Sequence, residues 1–355
     1  MKTKLFLFFL LPLMVACGGN NRPKQTESEE VASVTEVETL KGEVIPLDTA
    51  LFRYAYRIRV AGDRAVMLDL HNPDYYFHVF TYPDFSYLSS FGHRGEGPGE
   101  FLGTGNVRFD GKDAVWALDD SKNRLLHYVG IADGKAPRLD KDMPIDEKLL
   151  RSLDFDLLDA STFLVPDYSG ENRFCWVNLA TGALLRKWQQ IPEDEKLLAE
   201  SAPAVAQGWN SRHAFSPDRK KLVTVTQFGD RLDIYDVKGD GHVFRVGEFG
   251  GPAYHVAGDG QYIPEGICYY DMQATDRYIY ALYDGRLFKE VIKDPDNYKQ
   301  GGQELRVFNY QGVLLKTITL DRRLSGLYVD EANGWLFGTD VNADEQLVRY
   351  EWKMD

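Results

Sequence analysis

The chain has 355 residues, of which 13% are aromatic, and it carries a formal net charge of -13 at pH 7. This acidity argues against a nucleic-acid partner, because phosphate binding needs clustered Lys and Arg, and here charges of both signs are interspersed. At this length a single domain requires a fold that grows by repetition.

The first seventeen residues have the order of a secretory signal. Lys2 and Lys4 precede an apolar run that is too short to span a bilayer as a helix, and small residues follow it. The run Met14-Val-Ala-Cys17 resembles the lipobox of bacterial lipoproteins, in which the cysteine becomes the acylated N-terminus, although Met14 replaces the usual leucine. We therefore predict a signal peptide over residues 1–17 and membrane attachment through Cys17. The alternative is an ordinary signal peptide with an incidental cysteine.

Residues 18–40 are rich in Asn, Glu, Ser, Thr and Lys and nearly free of aromatic side chains. Such a segment cannot bury enough apolar surface to fold, so it is predicted to be a flexible tether. The folded domain is predicted to occupy residues 41–355.

One pattern recurs along this domain: a strand with an aromatic or aliphatic centre, a turn, and a further strand. The copies begin at Phe77, Arg124, Phe174, Arg231, Leu305 and Gln346. Each is preceded by two more strand-like runs, and the copies recur every 40 to 60 residues or so. Four short antiparallel strands per repeat are typical of a propeller blade. The sequence therefore predicts an all-β, six-bladed β-propeller of four-stranded antiparallel blades.

The last repeat stops after one strand, which would leave an open ring and an exposed strand edge. The strand-like stretch 36–47 precedes blade one and is predicted to fill this gap, so that an N-terminal strand closes the ring. Helical periodicity is scarce, and two short helices, at 145–152 and 193–206, are predicted between blades.

Cys175 falls on the third strand of blade three and Cys268 on the innermost strand of blade five. These blades are not adjacent, so the two cysteines are too far apart for a disulfide. We predict two separate buried thiols.

The run Arg94-Gly-Glu-Gly-Pro-Gly-Glu-Phe101, the lipoprotein-like start and the repeated Tyr-Asp or Phe-Asn strand ends resemble the TolB-like six-bladed propeller lipoproteins, which are related in shape to NHL-repeat proteins. The resemblance extends from about residue 41 to the end of the chain. It implies lipid anchoring in the cell envelope of a Gram-negative bacterium, at the outer membrane. It does not imply an activity, since most members of this family have no known function.

The glycine-rich stretch 90–101 connects blade one to blade two at the mouth of the central channel. His93 and Arg94 could contact an anionic ligand there, with glycine N–H groups helping. The favoured alternative is a turn that locks two blades together by hydrogen bonds. No helix follows the stretch, so it is not a nucleotide-binding loop.

Loops that connect blades share the mouth face with loops between second and third strands, and this face is the predicted ligand site. Its tyrosines suit stacking on sugars or peptides, although aromatic side chains also fill the space between blades. The long segment Asp284–Gln303 is predicted to act as a lid. The candidate ligand-binding residues are His93, Arg94, Glu100, Tyr168, His255, Tyr262, Glu265 and Tyr283.

The leading hypothesis is a non-catalytic, membrane-tethered and monomeric binding or scaffold module, without a cofactor, that presents this face to a protein, peptide or glycan. The alternative is a metal-assisted lactonase or lyase that uses a channel histidine and Glu265, which resembles the metal-binding glutamate of gluconolactonase-type propellers. No catalytic residue is assigned, because the H-E-x-x-H, C-x-x-C, G-x-S-x-G and Walker motifs are all missing from the sequence.

Overall fold

The computed structural model describes residues 37–47, 52–149, 151–193, 195–251, 254–257, 262–293, 295 and 298–354. The predicted signal peptide, the lipidation site Cys17 and most of the predicted tether lie outside these residues. From Glu36 onward the chain forms one compact unit.

The unit is a six-bladed β-propeller whose blades follow one another in chain order. The N-terminal strands are β1 (Val37–Leu40) and β2 (Glu43–Ile45). Blade one contains β3 (Ala55–Ala61), β4 (Arg64–Asp69), β5 (Tyr75–Thr81) and β6 (Tyr87–His93). Blade two contains β7 (Val107–Asp110), β8 (Ala114–Asp119), β9 (Arg124–Val129) and β10 (Arg138–Pro144). Blade three contains β11 (Asp156–Leu157), β12 (Thr162–Pro166), β13 (Asn172–Asn178) and β14 (Leu184–Gln190).

A helix, α1 (Glu195–Gly208), separates blades three and four. Blade four contains β15 (Ser211–Phe215), β16 (Lys221–Thr226), β17 (Leu232–Val237) and β18 (Val243–Phe249). A small hairpin of β19 (Tyr254–Val256) and β20 (Tyr262–Pro264) follows it. Blade five contains β21 (Tyr269–Ala274), β22 (Ile279–Tyr283), β23 (Gly302–Phe308) and β24 (Leu314–Leu324), with α2 (Phe288–Val291) between its second and third strands. Blade six contains β25 (Gly326–Asp330), β26 (Trp335–Thr339) and β27 (Leu347–Glu351).

The core is divided among the blade interfaces. Six clusters of buried apolar side chains each join two neighbouring blades, and the ring closes with a cluster between blades six and one. The second and third strands are almost entirely buried because both of their faces pack on neighbouring blades, whereas outer strands such as β10 and β14 are largely exposed. The first strands β3, β7, β11, β15, β21 and β25 contact one another in this cyclic order around the channel.

The N-terminal segment closes the ring, as predicted. Strand β2 pairs antiparallel with β27 and is the fourth strand of blade six. Residues 37–40, which the sequence prediction placed in the tether, form β1 and add a fifth, parallel strand to the outer edge of blade five. The segment crosses between the two blades at Gly42, where a Cβ atom would lie 2.1 Å from Val348 Cγ1. Only glycine fits this crossing without a shift of its neighbours.

The helix predicted at 193–206 is present as α1, which is interrupted at Ser201, two residues before Pro203. The helix predicted at 145–152 is wrong, because residues 145–149 form a turn. The Asp146 carboxylate accepts hydrogen bonds from the N–H groups of Lys148 and Leu184, at 3.0 and 3.1 Å, and so ties the turn to blade three. No helix among the described residues is long and apolar enough to cross a bilayer.

The two described cysteines are free and buried, as predicted. Cys175 packs in the cluster between blades two and three, and Cys268 packs in the cluster between blades four and five.

Candidate functional site

Three long segments collect on one face of the ring. Because neighbouring strands of a blade are antiparallel, the ends of the second and fourth strands and the start of the first lie at the same edge. We call the described residues within 191–210, 250–268 and 284–301, which leave such strand ends, the mouth segments. The expected lid, Asp284–Gln303, is thus one of three long segments rather than the only one.

The mouth segments contact one another. Tyr254 Oη and Trp209 Nε1 both donate to Glu193 Oε1, at 2.8 and 2.9 Å, which joins the hairpin to the α1 segment. The N–H of Phe288 donates to the carbonyl oxygen of Glu265 at 2.8 Å, which joins the hairpin to the third segment. Apolar side chains of the first two segments form a small cluster separate from those of the blades. The segments therefore pack on each other as well as on the ring.

The glycine-rich loop is held from both of the blades that it connects. Lys122 Nζ, from blade two, donates to the carbonyl oxygens of Gly95, Gly97 and Glu100 at 3.0, 3.2 and 2.9 Å. The Glu100 carboxylate accepts a hydrogen bond from the N–H of Gly97 at 2.8 Å. These contacts use the loop's carbonyl groups and the Glu100 carboxylate for hydrogen bonds within the protein. They agree with the alternative prediction, a turn that locks two blades together.

The basic residues of this loop also have internal contacts. The Arg94 guanidinium lies 3.7 Å from the centroid of the Tyr76 ring and donates to the carbonyl oxygen of Leu70. The exposed His93 ring packs on Tyr75, with their centroids 4.2 Å apart. Arg94 is thus positioned by blade one, whereas His93 presents a free edge to solvent.

The hairpin brings His255 and Glu265 together. His255 Nε2 lies 2.8 Å from Glu265 Oε1, and both side chains are exposed. Among the described residues, no group of three or more His, Cys, Asp or Glu side chains is arranged to hold a metal ion.

Tyr283 belongs to a contact between blades four and five. The Arg306 guanidinium lies 3.3 Å from the centroid of its ring, and Arg306 Nη1 donates to Asp230 Oδ1 at 2.7 Å. Tyr269 also donates to Asp230 Oδ1, at 2.8 Å. Burial raises the pKa of Tyr283 to about 12.

Tyr168 and Tyr262 lie at the mouth, and the hydroxyl of each is buried without a hydrogen-bond partner among the described residues. The same is true of Arg212 Nε on β15. Burial raises the pKa of Tyr168, and the positive charges of Arg212 and Arg151 oppose this rise. Buried polar groups without partners are rare in folded proteins. The two hydroxyls and Arg212 Nε are therefore available for hydrogen bonds with a ligand.

Tyr56 occupies the upper channel between two arginines. Arg57 Nη2 and Arg212 Nη2 both donate to its phenolic oxygen, at 3.0 and 3.2 Å. Burial raises the pKa of Tyr56, but the charges of Arg57 and Arg212 outweigh burial, so this pKa lies below its ordinary value. Sequence reasoning did not select any of these three residues.

Further down the channel, charged side chains bridge the innermost strands. Arg59 of blade one donates two hydrogen bonds of 2.9 Å to the Asp271 carboxylate of blade five. Arg57 Nε lies 3.7 Å from the same carboxylate. Burial raises the pKa of Asp271, and the two guanidinium charges lower it further than burial raises it. Asp271 is therefore ionised at neutral pH.

A second set of charged residues lies across the channel. Arg108 Nε of blade two lies 3.4 Å from Asp156 Oδ1, and its Nη2 lies 3.8 Å from Asp154 Oδ1. Asp154 Oδ2 in turn lies 3.6 Å from His213 Nδ1. Burial lowers the pKa of His213, so the ring is neutral at pH 7.

The fold and this face define a six-bladed β-propeller with an enlarged mouth and a charged channel. The chain belongs to the TolB-like 6-blade propeller-like family, whose profile matches residues 35–332. The match confirms the resemblance seen in the sequence and includes both strands that close the ring.

Solved structures with the same fold are distant in sequence. A member of the DUF4221 family from Bacteroides vulgatus is 10% identical, with a TM-score of 0.60 over 90% of this chain and 98% of its own. A candidate exported protein from Bacteroides fragilis is 13% identical, with a TM-score of 0.57 over 89% of this chain and 99% of its own. No curated protein matches the chain. At these identities the similarity shows the fold alone.

Proposed function

We propose that the protein is a non-catalytic binding module, tethered to the bacterial cell envelope through Cys17, that presents its mouth face to a protein, peptide or glycan. The unpartnered hydroxyls of Tyr168 and Tyr262, together with Arg212 Nε, carry this proposal.

An unpaired buried polar group costs on the order of 1 to 3 kcal/mol. Two unpartnered phenol hydroxyls and one unpartnered guanidinium N–H fit a ligand rich in hydroxyl, carbonyl or carboxylate oxygens, as peptides and glycans are. Rings of Tyr254 and Phe228 surround Tyr262, with centroids 5.7 and 5.9 Å from its own, and offer flat surfaces for stacking.

The outer surface of the mouth suits a macromolecular ligand. Three large apolar side chains are exposed on this face: Leu102 on the loop between blades one and two, Ile263 on the hairpin, and Ile292 after α2. Since the polar atoms beneath are buried, the ligand reaches them when the mouth segments separate from the ring.

The test is a glycan and peptide array probed with the unlipidated chain from Gly18 onward. Tyr168→Phe and Tyr262→Phe remove the unpartnered hydroxyls and keep the rings. We expect the double variant to lose the hits of the native chain, while its stability stays equal or rises because no internal hydrogen bond is lost.

Tyr87→Phe is the matched control, because Tyr87 lies on the outer strand of blade one and its hydroxyl contacts only Ser90 among the described residues. This variant should keep every hit. An unchanged array pattern for the double variant would overturn the proposed face.

A further inference from the structure

A cavity of 240 Å³ occupies the channel at the end opposite the mouth. Residues from all six innermost strands line it. Apolar side chains such as Ile58, Phe109 and Met272 share its walls with polar groups, which contribute the larger part of the lining surface. The volume is several times the roughly 30 Å³ that one water molecule occupies in the liquid, so a small molecule fits.

Three guanidinium groups border this cavity: those of Arg59, Arg108 and Arg219. Arg219 lies in the turn between the first two strands of blade four, and its side chain is 41% exposed at the rim. The carboxylate nearest to it, Asp156, is 3.4 Å from Arg219 Nη1 and also 3.4 Å from Arg108 Nε. One carboxylate is thus shared by two guanidinium groups.

The same sharing occurs on the other side of the channel, where Asp271 serves both Arg57 and Arg59. Among the described residues, Arg212 has no carboxylate within 4.0 Å, and Asp154 is the third aspartate of the network. Five arginines therefore face three aspartates along the channel. Two of these arginines, Arg57 and Arg212, contact Tyr56 in the upper channel and do not line the cavity.

The backbone at Arg219 adds a separate observation. Its φ is +60°, in the left-handed region that glycine and asparagine adopt at least cost. An arginine there is held at a cost in conformational energy, and such outliers cluster at functional sites. Its guanidinium stands at the entrance of the cavity.

We propose that the lower end of the channel is a binding site for a small oxyanion of the phosphate or dicarboxylate type. Three arginines and a single aspartate line the cavity, and the adjacent Asp271 neutralises Arg59, so one positive charge remains for the anion. Guanidinium groups are suited to the oxygens of both anions because they donate paired hydrogen bonds. This site is independent of the mouth, because it opens on the opposite face.

The experiment titrates the unlipidated chain from Gly18 onward with sodium phosphate and with sodium succinate, at ionic strength fixed by potassium chloride. Calorimetry measures the dissociation constant, and thermal unfolding measures the stabilisation. We expect saturable binding of at least one anion. The anion with the lower dissociation constant identifies the ligand class as phosphate or dicarboxylate. Arg219→Asn should weaken binding by about tenfold or more, since it removes a charged donor from a position whose backbone asparagine tolerates.

Lys220→Asn is the matched control, because it removes the same charge from the same turn and Lys220 does not line the channel cavity. It should leave the dissociation constant within about twofold, as expected for an exposed charge. Equal weakening by the two variants, or no saturable effect of either anion on the native chain, would overturn the site. Tyr168→Phe should not change the dissociation constant of the anion. A negative result in this titration therefore leaves the proposed function of the mouth face untouched, and a negative array result leaves the anion site untouched.

Discussion

Asp233 shows how single charged residues join blades in this protein. Its carboxylate is fully buried and accepts hydrogen bonds from Arg173 Nη1 of blade three at 2.7 Å and from Arg231 Nη2 at 2.6 Å. Arg173 also donates to Ser211 Oγ and Thr224 Oγ1 on blade four. Burial raises the pKa of Asp233, but the charges of Arg173 and Arg231 hold it below its usual value.

At neutral pH, Asp233→Asn should lower the free energy of unfolding by about 3 to 5 kcal/mol, because the buried Arg173 guanidinium loses its counter-charge and Arg231 keeps only the exposed Glu248. Since the folded-state pKa is depressed, Asp233 stabilises the fold above its unfolded-state pKa of about 3.9. This stability is lost as pH falls through the folded-state pKa. Urea unfolding of native and variant protein should therefore give a difference that shrinks as the pH is lowered below about 4.

The control is Asp63→Asn, which changes an exposed carboxylate in the turn between β3 and β4. It should alter stability by less than about 1 kcal/mol at any pH. A difference for Asp233→Asn that does not depend on pH would contradict the argument.

At the scale of elements, the closing segment is the part on which the ring depends. Its first strand, β1, covers the edge of blade five and buries Leu40 in the cluster between blades five and six. Its second strand, β2, pairs with β27, which would otherwise be an exposed edge. The carboxylate of Asp321 accepts hydrogen bonds from the Gly42 N–H at 3.2 Å and from Tyr350 Oη at 2.9 Å, and so fixes the crossing between them.

A truncation series separates these roles. A chain that starts at Glu36 should be as stable as one that starts at Gly18. Starting at Lys41 removes β1 and should cost about 2 kcal/mol, mainly from Leu40. Starting at residue 48 also removes β2 and should produce oligomers, because the edge of β27 becomes free to pair with another chain.

Chemical denaturation and light scattering would measure these effects, with the Glu36 chain as the reference. If the chain that starts at residue 48 stayed monomeric and equally stable, β2 would not be needed for closure.

For the whole molecule, the proposal combines a propeller with a lipid anchor at Cys17. In the full chain, Cys17→Ser should abolish labelling by a radioactive fatty acid and move the protein from the membrane to the soluble fraction. Cys175→Ser is the control, since Cys175 is buried in the ring, and it should leave both properties unchanged. Retained labelling of Cys17→Ser would show that the lipobox assignment is wrong.

The fold was accessible from the sequence because each blade repeats the same local pattern, and the missing last strand pointed to 36–47. The prediction missed that this stretch divides into two strands on different blades, because β1 is short and pairs only with the edge of blade five, far away in the sequence. The false helix at 145–152 followed apolar spacing. That spacing instead reflects Ile145 and Leu149 packing between blades two and three.

The candidate site was only partly accessible. Sequence placed Tyr168 and Tyr262 on the mouth face, but it gave no sign that their hydroxyls lack partners. The channel arginines were missed because Arg59 meets Asp271 across 212 positions of the chain. A signal existed in the innermost strands, where Arg57, Arg59 and Arg108 alternate with apolar residues. Comparing these strands with one another, however, requires the ring to be known.

The closing strand also sets the order in which the molecule can be made. Glu43 and Arg349, which pair in blade six, are 306 residues apart, so β2 is among the first parts synthesised and its partner is among the last. Each earlier blade can pack on its predecessor as it emerges, but blade six stays incomplete until the final strand is available. A nascent chain that stalls before blade six therefore has an unpaired β2, because its partner β27 has not yet been synthesised. Completion of the protein and closure of the ring thus occur together.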